Sequence, residues 1–100
     1  MKEKTIVLCV MQGGPGEVLD RGRNHVIKKD MDGCIMAEFR NPSQEMAKIR
    51  LTLTALRPYS VFDVRLNGSS TGFRRANAAG ILESSFLIPE TSGLGLSERL

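Results

Sequence analysis

The chain of 100 residues has no tryptophan, one tyrosine, one histidine and two cysteines. Cys9 and Cys34 sit in apolar, strand-like runs and lack the spacing of a zinc site, so they read as buried free thiols. Their apolar flanks argue against an activated nucleophile, which needs a nearby cation or a helix start. Asp20, Asp30 and Asp32 are near His25 in sequence, but nearness along the chain does not make an orienting partner, and His25 reads as an exposed strand histidine rather than a general base. Long hydrophobic runs are also missing. The apolar stretch Ile6 to Met11 is short for a secretory leader and far short of a membrane span. The expectation is an intracellular, cytoplasmic protein without membrane contact. Neither charge sign dominates: 14 basic and 11 acidic side chains are interspersed and leave a formal charge of +3.

What is present is period-two alternation. Ile49, Leu51, Leu53 and Ala55 share one face of a strand, and Lys48, Arg50, Thr52 and Thr54 the other. Phe62, Val64 and Leu66 likewise oppose Val61, Asp63 and Arg65. Between the two runs, Pro58 lacks an amide hydrogen and holds Arg57 extended or turned, so one continuous strand is excluded. A hairpin would pair Leu53 with Phe62 and Leu51 with Val64, but would set Arg50 against Arg65. A sandwich corner, where the chain passes from one sheet to the other, avoids that like-charge pair and buries both inner faces in one core.

The run Leu56-x-Pro58-x-Ser60-x-Phe62-x-Val64-x-Leu66, followed by Asn67-Gly68, resembles the corner between the fifth and sixth strands of a fibronectin type III domain. On that match Leu56 is the corner leucine, Ser60 stands for the family's threonine and Phe62 for its corner tyrosine. Phe62 has no hydroxyl to bond the backbone, and the family's core tryptophan is absent. The resemblance implies a small sandwich serving as an interaction or spacer module.

The remaining chain extends this plan. Thr5 to Met11 predicts a first strand buried on both faces, Asn24 to Lys29 a short strand with edge lysines, and Cys34 to Arg40 a strand with Ile35, Ala37 and Phe39 inward. Ile81 to Ile88 also alternates and ends at Pro89. Glu17 to Arg23 reads as an irregular connection, while Ser43 to Ala47 and Ala76 to Gly80 each suit one helical turn. Residues 1–90 are expected to form one antiparallel β-sandwich of immunoglobulin- or fibronectin-like kind, with 91–100 as a loose tail.

The glycine loop Gln12-Gly13-Gly14-Pro15-Gly16 lacks the Lys-Ser/Thr ending of a phosphate-binding loop, and Asp30-Met31-Asp32-Gly33 lacks the later ligands of an EF-hand. No catalytic residue, metal or cofactor is indicated. The expected function is binding a protein partner, or self-association as a homodimer, through the end loops Gln12 to Glu17 and Asn67 to Gly72, with Gln12, Gly13, Gly14, Asn67 and Gly68 as contacts. The alternative is nucleic-acid binding by a basic sheet face gathering Lys48, Arg50, Arg57, Arg65, Arg74 and Arg75, with Tyr59 and Phe73 as the available aromatics.

Overall fold

Alternating strands with one apolar face must bury that face against another, and two such sheets form a sandwich. The structure, a computed structural model, describes residues 2–99. It is built from nine strands: β1 (Lys2–Cys9), β2 (Val18–Arg21), β3 (His25–Lys29), β4 (Ile35–Phe39), β5 (Ala47–Thr54), β6 (Val61–Leu66), β7 (Ser69–Arg75), β8 (Leu82–Ile88) and β9 (Ser92–Arg99). A single 3-10 turn, Val10–Gln12, follows β1. One sheet has the order β1-β5-β8 and the other β2-β3-β4-β9-β6-β7. Every ladder is antiparallel except β1 with β5.

The core lies between the sheets. Ile6 and Leu8 of β1, Ile49, Leu51 and Leu53 of β5, and Leu82 and Ile88 of β8 meet Ile27, Ile35, Phe39, Phe62, Val64, Leu94 and Leu96 from the larger sheet. The Phe39 ring meets Phe86 edge-on, with centroids 5.5 Å apart.

Arg57 and Pro58 are the sandwich corner and not a hairpin. β5 ends in the smaller sheet and β6 begins in the larger one, with Leu53 (0% exposed) and Phe62 (5%) both buried. Ala55 and Tyr59 take left-handed backbone angles, φ 58° and 61°, to make the passage. The corner is anchored across the molecule: the Leu56 amide donates to the Gly80 carbonyl (3.0 Å) and the Ala76 amide to the Ser60 carbonyl (2.8 Å). Gly80 needs its identity there, since its φ is +74° and a Cβ would come 2.2 Å from the Leu56 carbonyl oxygen.

Several expectations are corrected. The tail is a strand: β9 lies between β4 and β6 with Leu94 and Leu96 buried, because its leucines alternate with Gly93 and Gly95. β1 is an edge strand buried on one face only, with Val7 64% exposed, so its apolar run does not mark a central strand. β3 is interior, bonded to β2 and β4, and the Lys29 Nζ turns back to donate to the carbonyls of Val10 (3.0 Å) and Gly13 (2.8 Å). Part of the supposed connection at 17–23 is β2. The loop expected at 67–72 shrinks to Asn67-Gly68, whose paired positive φ angles (52° and 82°) make a two-residue hairpin turn. Ser69 onward is β7, since hydroxyl side chains tolerate an exposed edge strand. Residues 43–45 bend and Ala47 already begins β5, while 78–80 form a turn and bend, so neither segment is helical.

Because β9 is bonded on both sides, a chain ending at Thr91 is expected to lose its dispersed amide NMR spectrum, whereas removal of a loose tail would leave it intact. Leu96→Ala should lower stability by about 2–5 kcal/mol in urea denaturation.

Candidate interaction surface

In β9 the leucines at 94 and 96 point into the core, so Gly93 and Gly95 point away from it, in the middle of the outer face of the six-stranded sheet. Gly95 lies opposite Met36 on β4 and Arg65 on β6, and Gly93 opposite Glu38 on β4. The missing side chains leave a trough of about 380 Å³ along β9, walled by Cys34 and Met36 on one side and Arg65, Asn67 and Gly68 on the other. Asn67 helps form the wall: its side-chain Oδ1 accepts from the Gly93 amide at 2.8 Å, and its backbone amide donates to the Gly93 carbonyl at 2.7 Å. At the far end the Ser97 hydroxyl donates to the Cys34 Sγ, 3.3 Å away.

The fold does not require glycine at either position. A Cβ on Gly95 would find its nearest neighbour, the Met36 Sδ, at 3.6 Å, and one on Gly93 would find the Ala37 carbonyl oxygen at 3.9 Å. Both are ordinary contacts, and neither residue has a positive φ. Glycine within a strand costs about 0.5–1 kcal/mol relative to alanine and often marks close approach of another group. The trough is therefore open at the expense of strand stability.

The two outer faces differ in charge. The outer face of the six-stranded sheet presents Arg21, Lys28, Arg65, Arg75 and Arg99 against Glu38 and Asp63, and the trough itself is lined by Arg65 and Asp30. The three-stranded sheet balances Lys48 and Arg50 with Glu3 and Glu83, and Arg50 bonds Glu3 at 3.3 Å. On the larger face Arg65 leans on Asp63 (3.1 Å), which also accepts from the Ser70 hydroxyl (3.2 Å). The Arg99 guanidinium stacks 4.9 Å from the centre of the exposed Phe73 ring.

A second feature lies at the turn end of the β2–β3 hairpin. His25 is buried, not exposed as expected, because it points inward in register with Phe39. Its Nε2 is 2.7 Å from the Asp20 Oδ2, so the carboxylate holds the proton on Nε2. The ring packs under Gly22: a Cβ there would lie 2.3 Å from Cε1 and 2.6 Å from Nδ1. Nδ1 is buried and has no hydrogen-bond partner among the described residues. Beside it opens a cleft of about 270 Å³ lined by Arg21, Arg23, Arg40 and Glu38.

Of the residues picked from the sequence as contacts, Arg65, Asn67 and Gly68 meet at the trough. Gln12 and Gly13 belong to a separate hollow beside Val18 and Leu19, and the Gly13 carbonyl is taken by Lys29. Gly14 caps the same loop by accepting from the Glu17 amide. The basic patch does not form as expected. Lys48 and Arg50 lie on the opposite sheet, Arg57 is bound to Glu98 (2.8 Å), and Arg74 and Arg75 alternate to opposite faces of β7. Gly93, Gly95 and Met36 were not singled out, nor were the His25 cleft and its arginines. Alternation of leucine with glycine or serine from Ser92 to Ser97 carried the signal for β9.

No protein-family model matches the chain, and no curated protein matches it. No helix among the described residues is long and apolar enough to cross a membrane.

Gly22→Ala should drive the imidazole from its seat and break its bond to Asp20. A loss of about 1–3 kcal/mol in thermal or urea unfolding is expected. In ring nitrogen-15 spectra, His25 of the parent chain should show a protonated Nε2, and the variant should lose that signature.

Proposed function

We propose that the chain is a non-catalytic interaction module that docks an extended, acidic segment of a partner protein along β9. The observation that carries this reading is the outward pair Gly93 and Gly95, whose bare backbone leaves room that no side chain of the chain itself fills. A segment lying in the trough would bury Met36 and the glycine backbone, and its carboxylates would meet Arg65 and Lys28 on the surrounding face. Charge also separates a foreign partner from a second copy. Two copies meeting through this face would bring like charges together, which disfavours self-association there. The resemblance of Leu56 to Gly68 to a fibronectin type III corner points to the same class of work, as analogy at the level of the fold.

A nucleic-acid reading draws on one observation, the Phe73–Arg99 stack with Arg75 on the same outer face. Salt separates the two. A polyanion held by phosphates would lose affinity steeply between 50 and 200 mM salt, by about 10³-fold or more for six contacts. A peptide seated in the trough should lose far less.

The test is selection of peptide ligands from a random display library, followed by amide NMR titration. Selected peptides are expected to be rich in Asp and Glu, and to shift Met36, Arg65, Gly93 and Gly95. Gly95→Val should weaken them at least tenfold while leaving the unfolding midpoint unchanged or higher, since valine suits a strand. Undiminished binding by Gly95→Val, or shifts confined to the three-stranded sheet, would overturn the proposal.

A further inference from the structure

The cleft at the β2–β3 hairpin is built from two separate pieces of backbone that are tied together. Arg21 ends β2, Arg23 lies in the turn, and Arg40 follows β4. The Gly22 amide donates to the His25 carbonyl at 2.9 Å and closes the turn. The Arg40 amide donates to the Asn24 carbonyl at 2.8 Å and fixes the end of β4 beside it. Three arginine residues thus line one cavity, on backbone that main-chain bonds tie together.

None of the three forms an ion pair with a carboxylate among the described residues; the arginine ion pairs there involve Arg50, Arg57 and Arg65. Glu38 is the one acidic residue lining the cleft, and Asp20 is engaged with His25. Three guanidinium groups less one carboxylate leave about two positive charges, which is the magnitude carried by a phosphate monoester near neutral pH. The planar fork of a guanidinium also matches phosphate oxygens in pairs.

A second observation comes from beside the arginines. His25 lines the same cleft, is 9% exposed, and carries a buried Nδ1 without a partner. That nitrogen lies against Gly22, itself a cleft residue, where the lack of a side chain brings the ring within reach of the cleft wall.

We infer that the Arg21–Arg23–Arg40 cleft is a binding site for a phosphate group, with the three guanidinium groups as donors. The inference stands apart from the docking trough. Two sources share this chemistry, the free inorganic ion and a phosphorylated side chain, and the experiment distinguishes them.

The intact chain is titrated at constant ionic strength with inorganic phosphate and, separately, with a short phosphoserine peptide, while amide and ring nitrogen-15 NMR signals are followed. Saturable shifts are expected at Gly22, Arg23, His25 and Arg40, including the His25 ring. The double variant Arg23→Gln/Arg40→Gln should bind at least tenfold more weakly with an unchanged unfolding midpoint, and Arg50→Gln on the opposite sheet should bind as the parent. Arg23→Lys, which keeps the charge but not the fork, should fall between. Tighter binding of the phosphopeptide assigns the site to a phosphorylated partner, and tighter binding of inorganic phosphate assigns it to the free ion. Shifts that never saturate, shifts reproduced by chloride at the same ionic strength, or parental affinity in the double variant would overturn the inference.

Discussion

The pairing of β9 with both β4 and β6 is the interaction on which the molecule depends. Without it the larger sheet separates into a β2–β3–β4 unit and a β6–β7 hairpin with no hydrogen bonds between them. Two- and three-stranded pieces of that size are marginal alone, so the last strand in sequence completes the fold. It also divides its two faces sharply. Leu94 and Leu96 complete the core on one side, while Gly93 and Gly95 leave the other side bare. One short alternation thus supplies both the packing that closes the sandwich and the opening proposed to receive a partner.

The corner at Arg57 and Pro58 decides which side chains share a surface. Because β5 and β6 belong to different sheets, Arg50 and Arg65 point away from opposite sides of the sandwich. Arg50 is neutralised by Glu3, and the smaller sheet is balanced in charge. The positive excess collects on the larger sheet. This asymmetry gives the molecule a distinguishable front, and it arises from topology acting on an evenly mixed sequence of charges.

His25 shows how a residue type acquires a different meaning through register. In strand β3 it occupies an inward position opposite Phe39, yet it sits at the sheet's end where β2 brings Asp20 within 2.7 Å. A buried polar ring is tolerated because one nitrogen is satisfied by the carboxylate. The other nitrogen has no partner among the described residues, and the histidine lines a cleft with three arginines that come from two places in the chain. A buried orphan beside unpaired cations is an arrangement that folding of an isolated sandwich does not need.

Much of the fold was legible in the residue order. Alternation at Ile49–Leu53, Phe62–Val64, Ile35–Phe39 and Leu82–Ile88 identified strands and their inner faces, since period two follows from strand geometry alone. Pro58 located a break for the same local reason. β9 escaped because glycine and serine opposite leucine resemble a loop in composition, and β2 because a four-residue strand with a bulge has no clear period. Of the candidate site, only Arg65, Asn67 and Gly68 were legible. By itself the sequence determined that strands form, where they break and which sides are apolar, because these depend on neighbours along the chain. Only the tertiary structure decided that β9 lies between β4 and β6, that the arginines part company, and that Arg21, Arg23 and Arg40 line one cleft with His25, because pairing between distant strands sets those distances.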